Sequence, residues 1–225
     1  AGASVAFTQK QQEHLLPKNF DKSKQNIVFF NSSIDEVAAM PEWKFPIYDD
    51  ESIAFEKIVE FFKNKSDTMF YLRIHPNLKN QNNSQMRNIQ KLADKNLDNL
   101  HIIWPDEPID SYALIEHCDK VVTFGSTIGV EACFWGKPSI LIGRAVYEDF
   151  DCCYIPKSHL ELVILLKNTI SAKDQKNTFP YGWWATQYDI NHITHLQNYN
   201  PLKFTYSALE KIKLRIIDTL YNNGY

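Results

Sequence analysis

Residues Val121 to Ala132 (VVTFGSTIGVEA) restrict the fold of this chain more than any other stretch. The β-branched apolar run Val121-Val122-Thr123-Phe124 predicts a strand covered on both faces, as in a parallel sheet. Gly125 lets the backbone turn sharply. Ser126 and Thr127 follow at the start of a helix, where hydroxyls cap free N–H groups. A strand, a tight turn and a helix start carrying two hydroxyls and nearby glycines suit an anion, and the natural anion is a phosphate.

The rest of the chain repeats the strand–helix alternation. Strands are expected at 26–30, 69–74, 100–104 and 139–142, with a short sixth one at 153–155. Helices are expected at 51–63, 85–97, 111–118, from the Gly125 turn through Trp135, and at 158–167. Ile53, Phe55, Ile58, Val59 and Phe62 form an apolar stripe at helical spacing. Asp110 is placed to cap one helix, and Gly136 with Pro138 to end another. This spacing fits βαβ units and an α/β fold: a Rossmann-like open parallel sheet with helices on both faces. Ligands of such sheets bind at the carboxyl ends of the strands. His75-Pro76 and Gly125-Ser126-Thr127 both fall there.

Three segments are expected. Residues 1–24 read as a polar arm or linker, and 25–170 as the Rossmann-like domain. Residues 171–225 read as an aromatic covering segment with a final helix near 206–221, packed on the same domain. Charge and composition narrow the function classes. The net charge of −3 over 225 residues argues against a broad nucleic-acid binder. No apolar run approaches the roughly 20 residues of a membrane span, and no signal peptide is visible. The four cysteines lack zinc-type spacing, so reduced thiols are expected. A cytoplasmic protein, peripheral at most at the inner face of the membrane, is the corresponding expectation.

The segment Tyr71-Leu72-Arg73-Ile74-His75-Pro76-Asn77 resembles the HP motif of bacterial sialyltransferases and capsule Kdo transferases. Gly125-Ser126-Thr127 resembles their serine motif, which holds the nucleotide phosphate. The longer run Gly125 to Ala132, with Trp135 to Ser139, resembles capsular and surface polysaccharide glycosyltransferases of the GT-B fold. Ile27 to Phe30 with Asn31-Ser32-Ser33 resembles the segment that opens their second domain. The resemblance covers roughly residues 25–145 and rests on two short motifs in the right order, each at a strand end. It implies the donor-binding half of a glycosyltransferase of capsule or lipopolysaccharide synthesis. The donor would be a CMP-sugar, otherwise a UDP-sugar, and the acceptor a glycan or a lipid-linked glycan. The family's acidic triplet is absent and one Rossmann-like unit is present where GT-B enzymes have two. An N-terminal acceptor domain or a partner subunit is therefore expected elsewhere. The alternatives are a non-catalytic subunit, or an epimerase or polyol-phosphate transferase of related fold.

The resemblance makes His75 the candidate catalytic residue, a donor near a leaving group that gains negative charge. Its ordinary alternative is a histidine satisfied before a turn-forming proline. Pro76 would fix that turn. Gly125, Ser126 and Thr127 would bind phosphate, or simply cap a helix with the same geometry. Gly129 would admit close approach of ligand or of packed structure. Glu131 would accept from ribose hydroxyls, or serve the helix dipole. Arg73 shares a strand face with His75 and would neutralise phosphate, or form a surface ion pair. Lys137 is a weaker case of the same kind. Asn31, Ser32 and Ser33 line the acceptor side of the cleft or form an Asx or Ser turn. Asp149-Phe150-Asp151 matches a metal-binding DxD pattern only formally, and His192 with His195 lacks a third ligand. Trp183 and Trp184 are expected as a lid, or as a stacking surface for a base or sugar. Neither metal nor cofactor is expected beyond the nucleotide-sugar substrate.

Overall fold

The computed structural model describes residues 11–33 and 47–185. Five parallel strands form one sheet: β1 (Gln25–Phe30), β2 (Thr68–Arg73), β3 (Leu100–Ile103), β4 (Lys120–Thr123) and β5 (Ser139–Leu141). Their order is β3-β2-β1-β4-β5, with every pairing parallel. The helices are α1 (Glu51–Phe62), α2 (Ser84–Ala93), α3 (Ser111–His117), α4 (Ile128–Phe134) and α5 (His159–Lys167). This is the open, doubly covered Rossmann-like sheet expected from the alternation.

Period-two alternation divides the core between two faces. Ile27, Phe29, Phe70, Leu72, Val122 and Ile140 meet α1, α2 and α5 through Phe55, Ile58, Phe62, Leu92 and Leu162. Val28, Phe30, Met69, Tyr71 and Val121 meet Leu114 and Ile115 of α3 and Ala132 of α4 on the other face. The chain therefore winds outward from β1 to β3 on one face, returns to β4 beside β1, and continues to β5. The winding reverses between β1 and β4, where open α/β sheets hold their ligands.

Several boundaries differ from expectation. Residues 11–24 of the expected arm are docked: Leu15, Leu16 and Phe20 pack on the second core, and the Phe20 ring stacks on Tyr71 at 5.0 Å. The backbone of Asp110 donates to Leu15, and the Asp110 carboxylate accepts from His14 N–H at 2.9 Å. Helix α2 ends at Ala93, short of Leu97, because Asn96 takes a left-handed φ of 47°. The expected sixth strand is a single bridge between Ile140 and Tyr154. Beyond a short 3-10 turn (Gln175–Thr178), helical residues carry Tyr181 onto Tyr147, whereas Trp183 and Trp184 point outward, 63% and 45% exposed. Tyr188, His192, His195 and the expected final helix lie outside the described residues. The end of α4 follows expectation: Gly136 sits at φ 69°, Gly136 N–H donates to Cys133, and Lys137 N–H donates to Ala132.

Lys120 opens β4 and is 2% exposed. Its ammonium donates to the Leu166 carbonyl at 2.7 Å, and the Gln25 side-chain oxygen accepts at 2.6 Å in the amide orientation that satisfies both ends. Burial pulls its pKa down to about 8, against the opposing pull of Asp119. Above pH 8 the folded lysine has released its proton, while an unfolded lysine holds one until about pH 10.4. The unfolded state then binds more protons, so this residue makes stability rise with pH across that window. Urea titrations at pH 7.5 and 9.5 should show wild type gaining on the order of 1–2 kcal/mol relative to Lys120→Met. A difference that does not change with pH would remove the assignment.

Candidate functional site

The carboxyl ends of β2, β1, β4 and β5 project His75, Asn31-Ser32-Ser33, Gly125-Ser126-Thr127 and Arg144 toward one edge of the sheet. β1 lies between β2 and β4, so two strand spacings separate the His75 and Ser126 loops, roughly 10 Å. Asn31 and Ser32 bridge that gap. Asn31 Oδ1 accepts from the His75 backbone N–H at 2.6 Å. Ser32 Oγ lies 4.0 Å from where a Cβ on Gly125 would stand. The two motifs thus flank the carboxyl end of β1 and are joined through it.

His75 is half-buried and extended before Pro76, as a residue preceding proline must be. Its Nδ1 accepts from Asn77 N–H at 3.2 Å, which caps the short 3-10 turn Pro76–Leu78. With Nδ1 as acceptor, the neutral imidazole carries its proton on Nε2, a donor. The proline and the cap fix the imidazole at that edge of the sheet.

The Gly125 turn is held from beneath. A Cβ on Gly125 would sit 2.6 Å from the Arg144 carbonyl oxygen, so only glycine permits this approach of the β4 and β5 loops. The Tyr147 hydroxyl donates to the Ser126 carbonyl and occupies the space over Gly129, where a Cβ would come within 2.4 Å of it. Gly129 therefore admits a tyrosine. Ser126 Oγ accepts from Ile128 N–H at 3.3 Å, an ordinary cap. Thr127 does not cap: its backbone is already helical and its hydroxyl donates to Glu131 at 3.0 Å.

Glu131 is 4% exposed. Its second oxygen accepts from the Tyr112 hydroxyl at 2.9 Å. Burial pushes its carboxyl pKa up, opposed by the bonds from Tyr112 and Thr127. Both oxygens face inward partners, so in this geometry Glu131 fixes the Thr127 rotamer. Arg73 is also committed: 4% exposed, its guanidinium donates to the Trp104 carbonyl at 2.8 Å and to Glu107 at 3.4 Å. It anchors the loop after β3 and makes no surface ion pair. Lys137 donates to the Cys118 carbonyl at 3.1 Å, at the opposite end of the sheet.

Three participants carried no motif. Asp50 caps α1, and this places Glu51 to accept from Ser32 N–H at 3.1 Å. Gln85, 4% exposed, donates to the Ser32 carbonyl at 2.8 Å and to Glu51 at 3.1 Å. The Ser32 peptide is thus clamped in both directions. Arg144, at the end of β5, makes a fork to Glu148, whose carboxyl the guanidinium pulls below its usual value. Only its place after a strand and a glycine marked Arg144 in sequence.

Asp151 pairs with Lys173 at 2.7 Å, and Asp149 lies in a 3-10 turn. Among the described residues, no group of three or more His, Cys, Asp or Glu side chains is placed to hold a metal, and no helix is long and apolar enough to cross a membrane. All four cysteines are buried thiols.

Residues 7–150 match the model of a family described as "Capsule polysaccharide biosynthesis protein". The chain belongs to that family. Its motifs at 71–77 and 125–132 pointed to this class. Solved structures with similar folds include UDP-GlcNAc 2-epimerase from Neisseria meningitidis bound to UDP-GlcNAc, at 17% identity and TM-score 0.40, covering 91% of this chain and 46% of that one. KpsC of Thermosulfurimonas dismutans, a beta Kdo 2,4 transferase, matches at 13% identity and TM-score 0.43 over 72% of this chain and 46% of that one. The wall teichoic acid polymerase TagF matches at 14% identity and TM-score 0.42 over 98% and 49%. This family member thus spans about half the length of those chains. No curated protein matches it.

Proposed function

We propose that this chain is the donor-binding half of a nucleotide-sugar-dependent glycosyltransferase of capsule polysaccharide synthesis, with a CMP-sugar as first choice of donor and a UDP-sugar as second. The observation that carries the reading is that both His75 and Gly125-Ser126-Thr127 flank the end of β1 at the β1/β4 reversal, in a member of a capsule-biosynthesis family. Ser126 and the backbone N–H groups after Gly125 meet the phosphate, while the Thr127 hydroxyl, which donates to Glu131, holds the turn and leaves its backbone N–H to the ligand. His75, with Nε2 as donor, offers a proton or a hydrogen bond to the leaving nucleotide as its charge develops. No step in this reading requires a metal. The acceptor, a glycan or lipid-linked glycan, and the base that activates it belong to a further domain or a partner subunit. The cytoplasm, where nucleotide sugars are made, is the corresponding location.

Titration of the chain with CMP, UDP and GDP tests this. Binding selective for CMP, weakened at least tenfold by Ser126→Ala with His75→Ala, is the expected result. Selective UDP binding keeps the class and changes the donor. Absence of binding at millimolar nucleotide would discard the reading.

A further inference from the structure

Asn31 and Ser32 are 4% and 5% exposed, yet the Asn31 Nδ2 and the Ser32 Oγ have no hydrogen-bond partner among the described residues. Buried polar atoms are normally paired, because leaving one unpaired costs about 1–3 kcal/mol. The surroundings explain the orientation of both. The His75 N–H engages Asn31 Oδ1, which leaves Nδ2 as the available donor. Glu51 and Gln85 hold the Ser32 peptide on both sides, and its hydroxyl is turned toward Gly125. Both residues therefore lie between the two loops, Asn31 bonded to the His75 backbone and Ser32 against the Gly125 turn, with Nδ2 and Oγ buried where a ligand entering between the loops would reach them.

Their chemistry differs from that of the Ser126 turn. An amide NH₂ and a hydroxyl offer donors and an acceptor without net charge. The Glu51 carboxylate stands beside Ser32, 3.1 Å from its N–H, an acidic neighbour that favours a neutral group over a phosphate. A neutral group with adjacent hydroxyls satisfies the donors and the acceptor and meets no repulsion.

We propose that Asn31 and Ser32 form a sugar-hydroxyl subsite that grips a pyranose or furanose ring of the donor, between the phosphate turn and His75. The inference rests on the nucleotide-sugar reading and adds a specificity determinant to it. The ring is either the nucleotide's ribose or the glycosyl unit being transferred.

Two variants separate this from a structural role. Ser32→Ala removes a hydroxyl that bonds nothing among the described residues, so its melting temperature should equal or exceed wild type. Asn31→Asp keeps the acceptor for His75 N–H and exchanges the NH₂ donor for an oxygen. Each is titrated with CMP, dCMP, CMP-sialic acid, UDP, UDP-N-acetylglucosamine and inorganic phosphate. The expected result is a roughly tenfold loss of nucleotide affinity for each variant, with inorganic phosphate binding to Ser32→Ala as in wild type; Asn31→Asp, which also adds a charge, is read against its neutral companion. A loss confined to the sugar nucleotides assigns the glycosyl ring. A loss shared by CMP and UDP, with wild type preferring CMP over dCMP, assigns the ribose. Unchanged affinities in both variants, or an equal loss for inorganic phosphate in Ser32→Ala, would overturn the subsite while leaving the nucleotide reading intact. Wild type that binds none of the nucleotides would overturn both.

Discussion

Gly143→Ala is expected to lose about 3 kcal/mol or more of stability, the largest effect of any single methyl group added to this sheet. A Cβ at Gly143 would stand 1.7 Å from the carbonyl oxygen of Phe124 and 2.6 Å from its carbonyl carbon. Both atoms are backbone, so no rotamer change can relieve the overlap. The β4 and β5 ends must separate instead, breaking the bond from Ile142 N–H to the Thr123 carbonyl. The Gly125 turn hangs from the same β4 end. The variant should therefore lose nucleotide affinity along with stability. Gly136→Ala is the comparison: nothing lies within 4 Å of its Cβ, and only the φ of 69° opposes it. About 1 kcal/mol is expected there. Urea denaturation of both variants decides the point. A Gly143→Ala midpoint no lower than that of Gly136→Ala would mean the β4 and β5 ends are not packed this closely.

That crowding also shows what could be read in the chain before its structure. The strands were legible because each is a short apolar run stopped by a polar or proline-containing turn. Observed bounds such as Gln25–Phe30 and Leu100–Ile103 lie within a residue of those expected. Cap chemistry was legible for the same local reason: Asp110 and Gly136 act within one helical turn of themselves. The docking of residues 11–24 was not. It depends on Tyr71 offering a ring to Phe20, a contact across 51 positions that no local pattern signals. The end of α2 was missed because Asn96 adopts a left-handed conformation inside an otherwise helical run.

The site divides along the same line. His75 and Ser126 were visible because their motifs are contiguous. That both fall at strand carboxyl ends was legible too; that β1 lies between them, and so links them, was not. Strand order turned Asn31 and Ser32 from a turn expected on the acceptor side of the cleft into the link between the two motifs. Glu51 and Gln85 read as plain helix residues; only the fold brings them to the Ser32 peptide. Arg73 shows the converse. It was expected to neutralise phosphate or pair at the surface, yet its guanidinium is buried and donates to the carbonyls after β3.

Glu131 should show the second large effect, in both stability and its pH dependence. The side chain is 4% exposed and bonds the Thr127 and Tyr112 hydroxyls. Glu131→Ala removes both acceptors and leaves a cavity beneath the Gly125 turn, at an expected cost of about 3 kcal/mol. Glu131→Gln retains the volume, and the two hydroxyls can rotate to suit an amide, so most of that loss should be recovered. The pH dependence separates a buried carboxyl from a merely well-packed one. Burial raises the folded pKa above the unfolded value of 4.5. From pH 4.5 upward, until the folded group also ionises, the folded state holds the extra proton. Stability from this residue is therefore full below 4.5 and is lost as pH rises through the folded value. Glu131→Gln cannot titrate. Relative to wild type, it should gain stability as pH is raised from 4 to 7. A constant difference across that range would mean that Glu131 is hydrated like a surface carboxylate, and that Thr127 is positioned by something else.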